Sequence, residues 1–343
     1  MPKLIKTIVL QDGEHQIDYE SLANKPDIKN ITVSEDEPAS TSNEGDLWFM
    51  YDVIHFNPTL NDNAWSDISL ASKTGVASSV WAVGDTKAVE LNGTVGRLAV
   101  NTTLYAYILG FDHNPDYEEP GITFGTFKTA ATGGVDVCLV DSNYELSKTD
   151  GTKTFNMQHW GYNNYGGWKG CDMRYDILGS TNVAPSGYGA NAVSGRVGYD
   201  PENYDIVNSP VANTLLAAFP QELRAIMKPN TKYTDNVAGG AGHVEANVTA
   251  STDYLWLLGA FEIFGTTSSS NRYEASKQAR YQYYIDGGSR VKYKHSAMTT
   301  PASWWERSSY YNRSSDFCSV YEDGDASGYY SYYSIGVGPA FLI

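Results

Sequence analysis

Apolar residues along this chain come in short bursts cut by turn formers, not in long periodic runs. Three bursts predict strands: LYAYILGF (residues 104–111), VDVCLV (135–140) and DYLWLLGAFEIF (253–264). Each joins aromatic and β-branched residues and is bounded by turn residues. The helical signal is weaker. In PQELRAIMKP (220–229), Pro220 suits a first helical position, Leu223, Ile226 and Met227 share a face, and Pro229 stops the run. In CDMRYDIL (171–178), Met173, Ile177 and Leu178 fall at helical spacing, with Gly179 as C-cap. Gly-, Asn-, Ser- and Tyr-rich segments fill the rest, and no repeat of 20–50 residues occurs. The pattern predicts a loop-dominated α+β domain.

The start of the chain has a different texture. Residues 1–34 are apolar fragments broken by Asp12-Gly13 and Asn24-Lys25-Pro26, followed by the acidic, turn-rich SEDEPASTSNEGD (34–46), which reads as an exposed linker. LWFMYDVIHF (47–56) is β-prone and predicts a hairpin or edge strand, and the small-residue stretch SLASKTGVASS (69–79) reads as a domain boundary. The division expected is a small β-rich segment over 1–75, serving attachment or oligomerisation, and one domain over 76–343. A segment as small as the first buries little core by itself.

Composition narrows the function classes. There are 40 acidic against 24 basic residues among 343, a net charge of −16, the wrong sign for a phosphate-backbone binder. No apolar stretch reaches the ~18 residues of a membrane helix, and the first residues do not form a signal peptide. Cys138, Cys171 and Cys318 have neither the spacing of a zinc site nor the even number of a disulfide framework, which fits folding in a reducing cytoplasm.

Motifs of known chemistry are sparse. The six histidines form no HxxH or HExxH pair, and no GxSxG, P-loop or post-strand GxGxxG is present. The acidic DHNPDYEEPG (112–121) lacks the spacing of a calcium loop and reads as solvated. The sequence therefore gives no support to catalysis, a cofactor or a metal.

The C-terminal part is more informative. Of 26 tyrosines, 12 fall within residues 273–343, and SSYYNRSSDFCSVYEDGDASGYYSYYSIG (308–336) is almost wholly Tyr, Ser, Asn, Asp and Gly. Only Phe317, Val320 and Ile335 are suited to burial there. So many tyrosines in so polar a run describe a recognition surface, because tyrosine offers a large rigid contact area and a hydroxyl at low entropic cost.

These residues resemble known virion proteins. KPDIKN and EGDLWF (44–49) resemble the N-terminal parts of phage tail-fibre proteins. The ordered set AVGDTKAVELNG, YAYILGFDHN, ITFGTF, GGWKGCDMR, FPQELRAIMKP, TDYLWLLGAFEIFG, ASWWERSS and GVGPAFLI, spanning about 80–343, is similar to a domain of unknown function common in phage and prophage virion proteins. The last two blocks also resemble the C-type-lectin-like module of retroelement-diversified proteins. That resemblance implies a scaffold of Trp305, Arg307, Phe317, Val320, Gly324, Gly336, Pro339 and Phe341. It implies a ligand-binding surface of Tyr310, Tyr311, Asn312, Asp316, Tyr321, Asp323, Tyr329, Tyr330, Tyr332 and Tyr333. Glu306 departs from the leucine usual before the arginine, and Gly338 from the arginine or alanine usual before the proline. The function this implies is a non-catalytic tail-fibre or tail-tip adhesin, assembled in the host cytoplasm and incorporated in the virion as a homotrimer. It would bind a host surface glycan or protein, with other virion proteins held by its N-terminal segment and neither nucleic acid nor membrane insertion involved. A head-fibre or capsid decoration protein and a surface-polysaccharide depolymerase are the alternatives.

Overall fold

The computed structural model describes residues 55–187 and 196–343 in full and, before them, the backbone of four short strands. The chain forms two compact units, 1–58 and 59–343. In the first, β1 (Ile8–Leu10) pairs antiparallel with β2 (Gly13–His15), and β3 (Asn30–Ser34) pairs parallel with β4 (Asp46–Met50). The β character expected after residue 46 is present in β4, whose partner runs parallel, unlike that of a hairpin. The acidic stretch over 35–45 and residues 51–54 lie outside the described residues.

The larger unit opens with α1 (Trp65–Lys73), where the Asp67 carboxylate accepts the Ala64 N–H at 3.2 Å and closes the first turn. Trp65, Ile68 and Ala71, three residues apart, form its buried stripe. The Trp65 ring lies edge-on to Phe124 at 5.7 Å and to Phe341 at 6.3 Å. The stretch 69–79, read as a boundary, is thus the end of α1 together with α2 (Ala77–Val80), and the division falls earlier, between Pro58 and Thr59. Its small residues serve packing: Ala71 and Ala77 are buried.

β5 (Thr86–Val95) and β6 (Leu98–Phe111) form a long antiparallel ribbon that turns at Gly96, φ +59°. A Cβ at Gly96 would stand 2.8 Å from the Ile177 side chain and the Lys153 carbonyl, so glycine is required by space as well as by conformation. β7 (Ile122–Lys128) adds to β6. β8 (Val137–Cys138) is shorter than the strand expected over 135–140, because Leu139 pairs in a single bridge with Val337. The helix expected around Met173 is a π-helical turn, Met173–Ile177, followed by Gly179 at φ +69°.

Next come α3 (Leu215–Ala218) and α4 (Gln221–Arg224), with Pro220 capping α4 and Leu223 buried. β9 (Asn230–Asp235) and β10 (Val248–Asp253) form an antiparallel ribbon. The apolar run 253–264 is not a strand. It leaves β10 and becomes α5 (Ala260–Phe264), because Glu262 Oε2 accepts the Gly259 N–H at 2.8 Å and nucleates a turn that Gly265, φ +70°, ends. After α6 (Gln282–Ile285), β11 (Lys292–Lys294) pairs parallel with β8 and antiparallel with β12 (Ala297–Ala302). β13 (Trp304–Ser309), β14 (Asp316–Val320) and β15 (Ala326–Tyr330) form a three-stranded antiparallel sheet. β16 (Ala340–Leu342) returns to pair with β7, Phe341 opposite Phe124, completing the order β16-β7-β6-β5. The unit is α+β, and two of its sheets, β16-β7-β6-β5 and β12-β11-β8, join residues far apart in sequence. Trp305, Arg307, Phe317, Val320, Gly324, Gly336, Pro339 and Phe341 are all buried.

Candidate functional site

The tyrosine-rich run forms the outer part of the β13–β15 sheet and its turns. Residues 310–315 fold back over β15, where the Tyr310 ring occupies the space above Gly328: a Cβ there would lie 2.5 Å from the ring. Side chains two apart on a strand share a face, so Tyr330 stands on the side that Tyr310 covers. Asn164 anchors this arrangement. Its amide donates to the carbonyls of Arg313 at 2.8 Å and Asp316 at 2.6 Å, and its Oδ1 accepts the Gly239 N–H at 2.9 Å. One buried side chain thereby joins loops from three parts of the chain.

The result is a line of rings. His243 stacks on Tyr311 (4.2 Å, 13°), Tyr311 on Tyr310 (6.0 Å, 17°), and the Arg313 guanidinium lies 4.4 Å from the Tyr310 centroid. Arg313 also neighbours Tyr330, which stacks on Tyr332 (5.3 Å, 13°), and Tyr332 meets Tyr162 edge-on (4.9 Å, 76°). Separations above 5 Å between near-parallel rings describe offset stacking. Tyr330 is 49% and Tyr162 65% exposed. Arg313 is fixed by the nearly buried Asp316 at 3.0 Å, and that hydrogen bond raises its pKa further above the ordinary arginine value.

Of the ten residues expected at the surface, Tyr310, Tyr311, Tyr330 and Tyr332 belong to this line, and Tyr333 packs against Tyr330 and Tyr332. Asn312 is exposed in the same loop. Four placements differ. Asp316 is buried, accepting from Arg313 and Ser315, so it positions Arg313 from below. Tyr329 points to the opposite face, edge-on to the buried Trp305 at 6.2 Å, where burial pushes its phenol up to about 12. Tyr321 and Asp323 are exposed at the other end of the hairpin, in the turn closed by the Tyr321 N–H to Asp325 O bond of 2.8 Å. With ~3.3 Å per strand residue, that turn lies roughly 15 Å from the ring line.

Tyr162, His243 and Arg313 were not anticipated. Tyr162 had a legible signal, since GYNNYGG (161–167) has the same composition as the C-terminal run. His243 had none.

The acidic loop at 112–119 belongs to a different environment. His113, Glu118 and Glu262 bring ligand atoms within 4.8 Å of one another. The Lys232 ammonium, however, sits among them, 2.6 Å from Glu118, 3.3 Å from Glu262 and 2.9 Å from the Tyr281 hydroxyl. Both His113 ring nitrogens face oxygens, those of Glu118 at 3.2 Å and Ala279 at 2.9 Å. Burial would raise Glu118, but Lys232 and His113 hold it well below the carboxylate range. This constellation is an interior ion-pair network whose cation is already supplied by the protein. The three cysteines are free and buried, and burial pushes the Cys138 and Cys171 thiols up to about 12, so neither is a thiolate at neutral pH.

Glu306, the departure from the expected leucine, is fully buried on β13 with no hydrogen-bond partner for either carboxyl oxygen. Burial, reinforced by Glu274, raises its pKa well above the ordinary value and keeps it neutral, while Glu274 is pushed up to about 7 by its own burial. A carboxyl raised on folding favours the folded state only while protonated, and that contribution is lost as pH climbs through the raised value. Glu306→Gln is therefore expected to be more stable than wild type at neutral pH, with the difference shrinking as pH falls towards ~4.3, the unfolded value. Urea melts of both proteins across that range check this, and a constant difference would contradict it.

A family model described as a domain of unknown function, DUF6273, matches residues 137–343. No curated protein and no solved structure matches the chain. The match begins at β8, although β16 within it completes a sheet with β5–β7 outside it.

Proposed function

Since the chain belongs to the DUF6273 family, whose description assigns no activity, we propose its role from the surface it presents: a non-catalytic, virion-attached adhesin that binds a host surface receptor through the ring line of its larger unit. The observation that carries this reading is a pair of partly exposed stacked runs of rings, His243–Tyr311–Tyr310 and Tyr330–Tyr332–Tyr162, with Arg313 between them. Solvent-facing rings cost free energy of hydration that a monomer has no reason to bear, and such surfaces mark binding sites. The return of β16 to β7, with β15 and the neighbouring loops at the surface over the buried β13 and β14, supports the C-type-lectin-like arrangement that the resemblance implies. The N-terminal unit would dock the protein to the particle, and a homotrimer would multiply weak individual contacts through effective concentration.

Hot spots on such surfaces are few and tyrosine-rich, and each costs about 2 kcal/mol or more on truncation. Tyr330→Ala or Tyr332→Ala is expected to lower adsorption of particles carrying the change by tenfold or more, with the fold intact by thermal melting. Adsorption equal to wild type for both would overturn the reading and move this surface to a contact with another virion subunit.

A further inference from the structure

We infer that the ligand of the ring line is an extended polysaccharide bearing carboxylates, with Arg313 as the residue that reads the charge; this rests on the adhesin reading above. Three observations carry it. The first is shape: the rings form two stacked runs flanking Arg313 and not a pocket, and two depressions of the surface lie elsewhere, lined by Glu119, Lys228 and Thr252 and by Ser72, Phe111 and Gly121. A row of offset faces suits a linear chain of sugar rings, whose C–H faces pack on aromatic ones.

The second is unused hydrogen bonding. Among the described residues, no hydrogen bond occupies the hydroxyls of Tyr162, Tyr310, Tyr311, Tyr330 or Tyr332. A hydroxyl-rich ligand can use donors and acceptors spaced along its length.

The third is charge. In a chain of net charge −16, two guanidiniums are displayed on aromatic rings at this surface. Arg313 lies on Tyr310 with a 55% exposed side chain, and only its Nη1 is engaged, by Asp316. Arg272 is exposed at the His243 end, its backbone N–H donated to His243 Nδ1 and its guanidinium 5.0 Å over Tyr273, with Nη2 donating to the Tyr273 hydroxyl at 3.2 Å. A guanidinium held flat with a free edge offers the paired N–H donors that match a carboxylate. Asp316 holds Arg313 in place without using that edge.

The test is binding of the full chain to a panel of uronate-containing bacterial polysaccharides, each paired with the same polymer after its carboxylates are reduced to alcohols. Binding to at least one uronate polymer is expected to fall tenfold or more on reduction. Arg313→Gln should fall by a similar factor on the intact polymer and show no further loss on the reduced one. Arg272→Gln, whose side chain pairs with no carboxylate among the described residues, should weaken the same binding with an unchanged melting temperature. Binding indifferent to reduction, or Arg313→Gln equal to wild type, overturns the inference while the adhesin reading stands. Failure to bind any polymer, with Tyr330→Ala still blocking adsorption, overturns it in favour of a protein receptor. Normal adsorption by Tyr330→Ala and Tyr332→Ala would instead remove the reading on which it rests.

Discussion

Replacing Arg307 with alanine is expected to lower the unfolding free energy by ~3–5 kcal/mol, the usual cost of breaking a buried ion pair from one side. The guanidinium bonds both Glu262 oxygens, at 2.5 and 2.8 Å, together with Thr234 Oγ1 at 2.8 Å and the Leu257 carbonyl at 3.0 Å. Both partners are fully buried. Burial alone would raise Glu262, and Arg307 with Lys232 holds it below the ordinary value, so removing Arg307 leaves a carboxyl in the interior without its main compensating partner. Arg307 is also the joint between β13 and β9, and Glu262 is the residue that turns the 253–264 run into α5. Chemical denaturation of Arg307→Ala and of Arg307→Met/Glu262→Leu separates the causes. The double change should recover part of the loss, because it removes the stranded charge. A loss below about 1 kcal/mol for the single change would contradict the role assigned to the pair.

The second large effect is expected at Trp305. Its ring is fully buried, edge-on to Phe317 at 6.4 Å, and its indole N–H donates to the Phe155 carbonyl at 2.7 Å. Trp305→Ala should cost ~3–5 kcal/mol, from lost transfer energy, an unfilled cavity and an unmade hydrogen bond. Tyr330→Ala, on the same sheet but 49% exposed, should change stability by about 1 kcal/mol or less. Thermal melts of the two variants side by side check the contrast. Equal destabilisation would mean that Tyr330 is structural and that the ring line is packing, not a display.

The apolar interior positions of the tyrosine-rich run were legible in the sequence because they depend on local composition, whereas the burial of Asp316 and the inward side of Tyr329 were not. Phe317 and Val320 had to be inside, and Tyr330 and Tyr332 could not all join them in so polar a segment. The strand over 104–111 and the turn at Gly179 are also local matters of side-chain shape and backbone conformation, and they appear where expected, whereas the helix expected over 220–229 is only Gln221–Arg224, with Pro220 at its N-cap in place of the first helical position. Where tertiary contacts compete with local preference, the sequence pattern misled. The run 253–264 has strand composition, yet a carboxylate-to-backbone bond at Gly259 and the burial of Ala260, Glu262 and Ile263 make its second half a helix. The small residues of 69–79 look like a linker, but only the distant Phe124 and Phe341 disclose that α1 packs there.

The ring line itself was decided by tertiary structure alone. Tyr162, His243, Tyr310 and Tyr330 come from stretches separated by tens of residues, and bonds between loops bring them together: Asn164 to Arg313, Gly239 and Asp316, and the Gly242 N–H to the Tyr311 carbonyl at 2.8 Å. The same long-range bonds decide that Asp316 lies beneath the surface and that Tyr321 faces solvent at the far end of the hairpin. Residue type determines which side chains can serve a recognition surface. Which of them share one depends on how loops distant in sequence are tied together, and no local pattern records that.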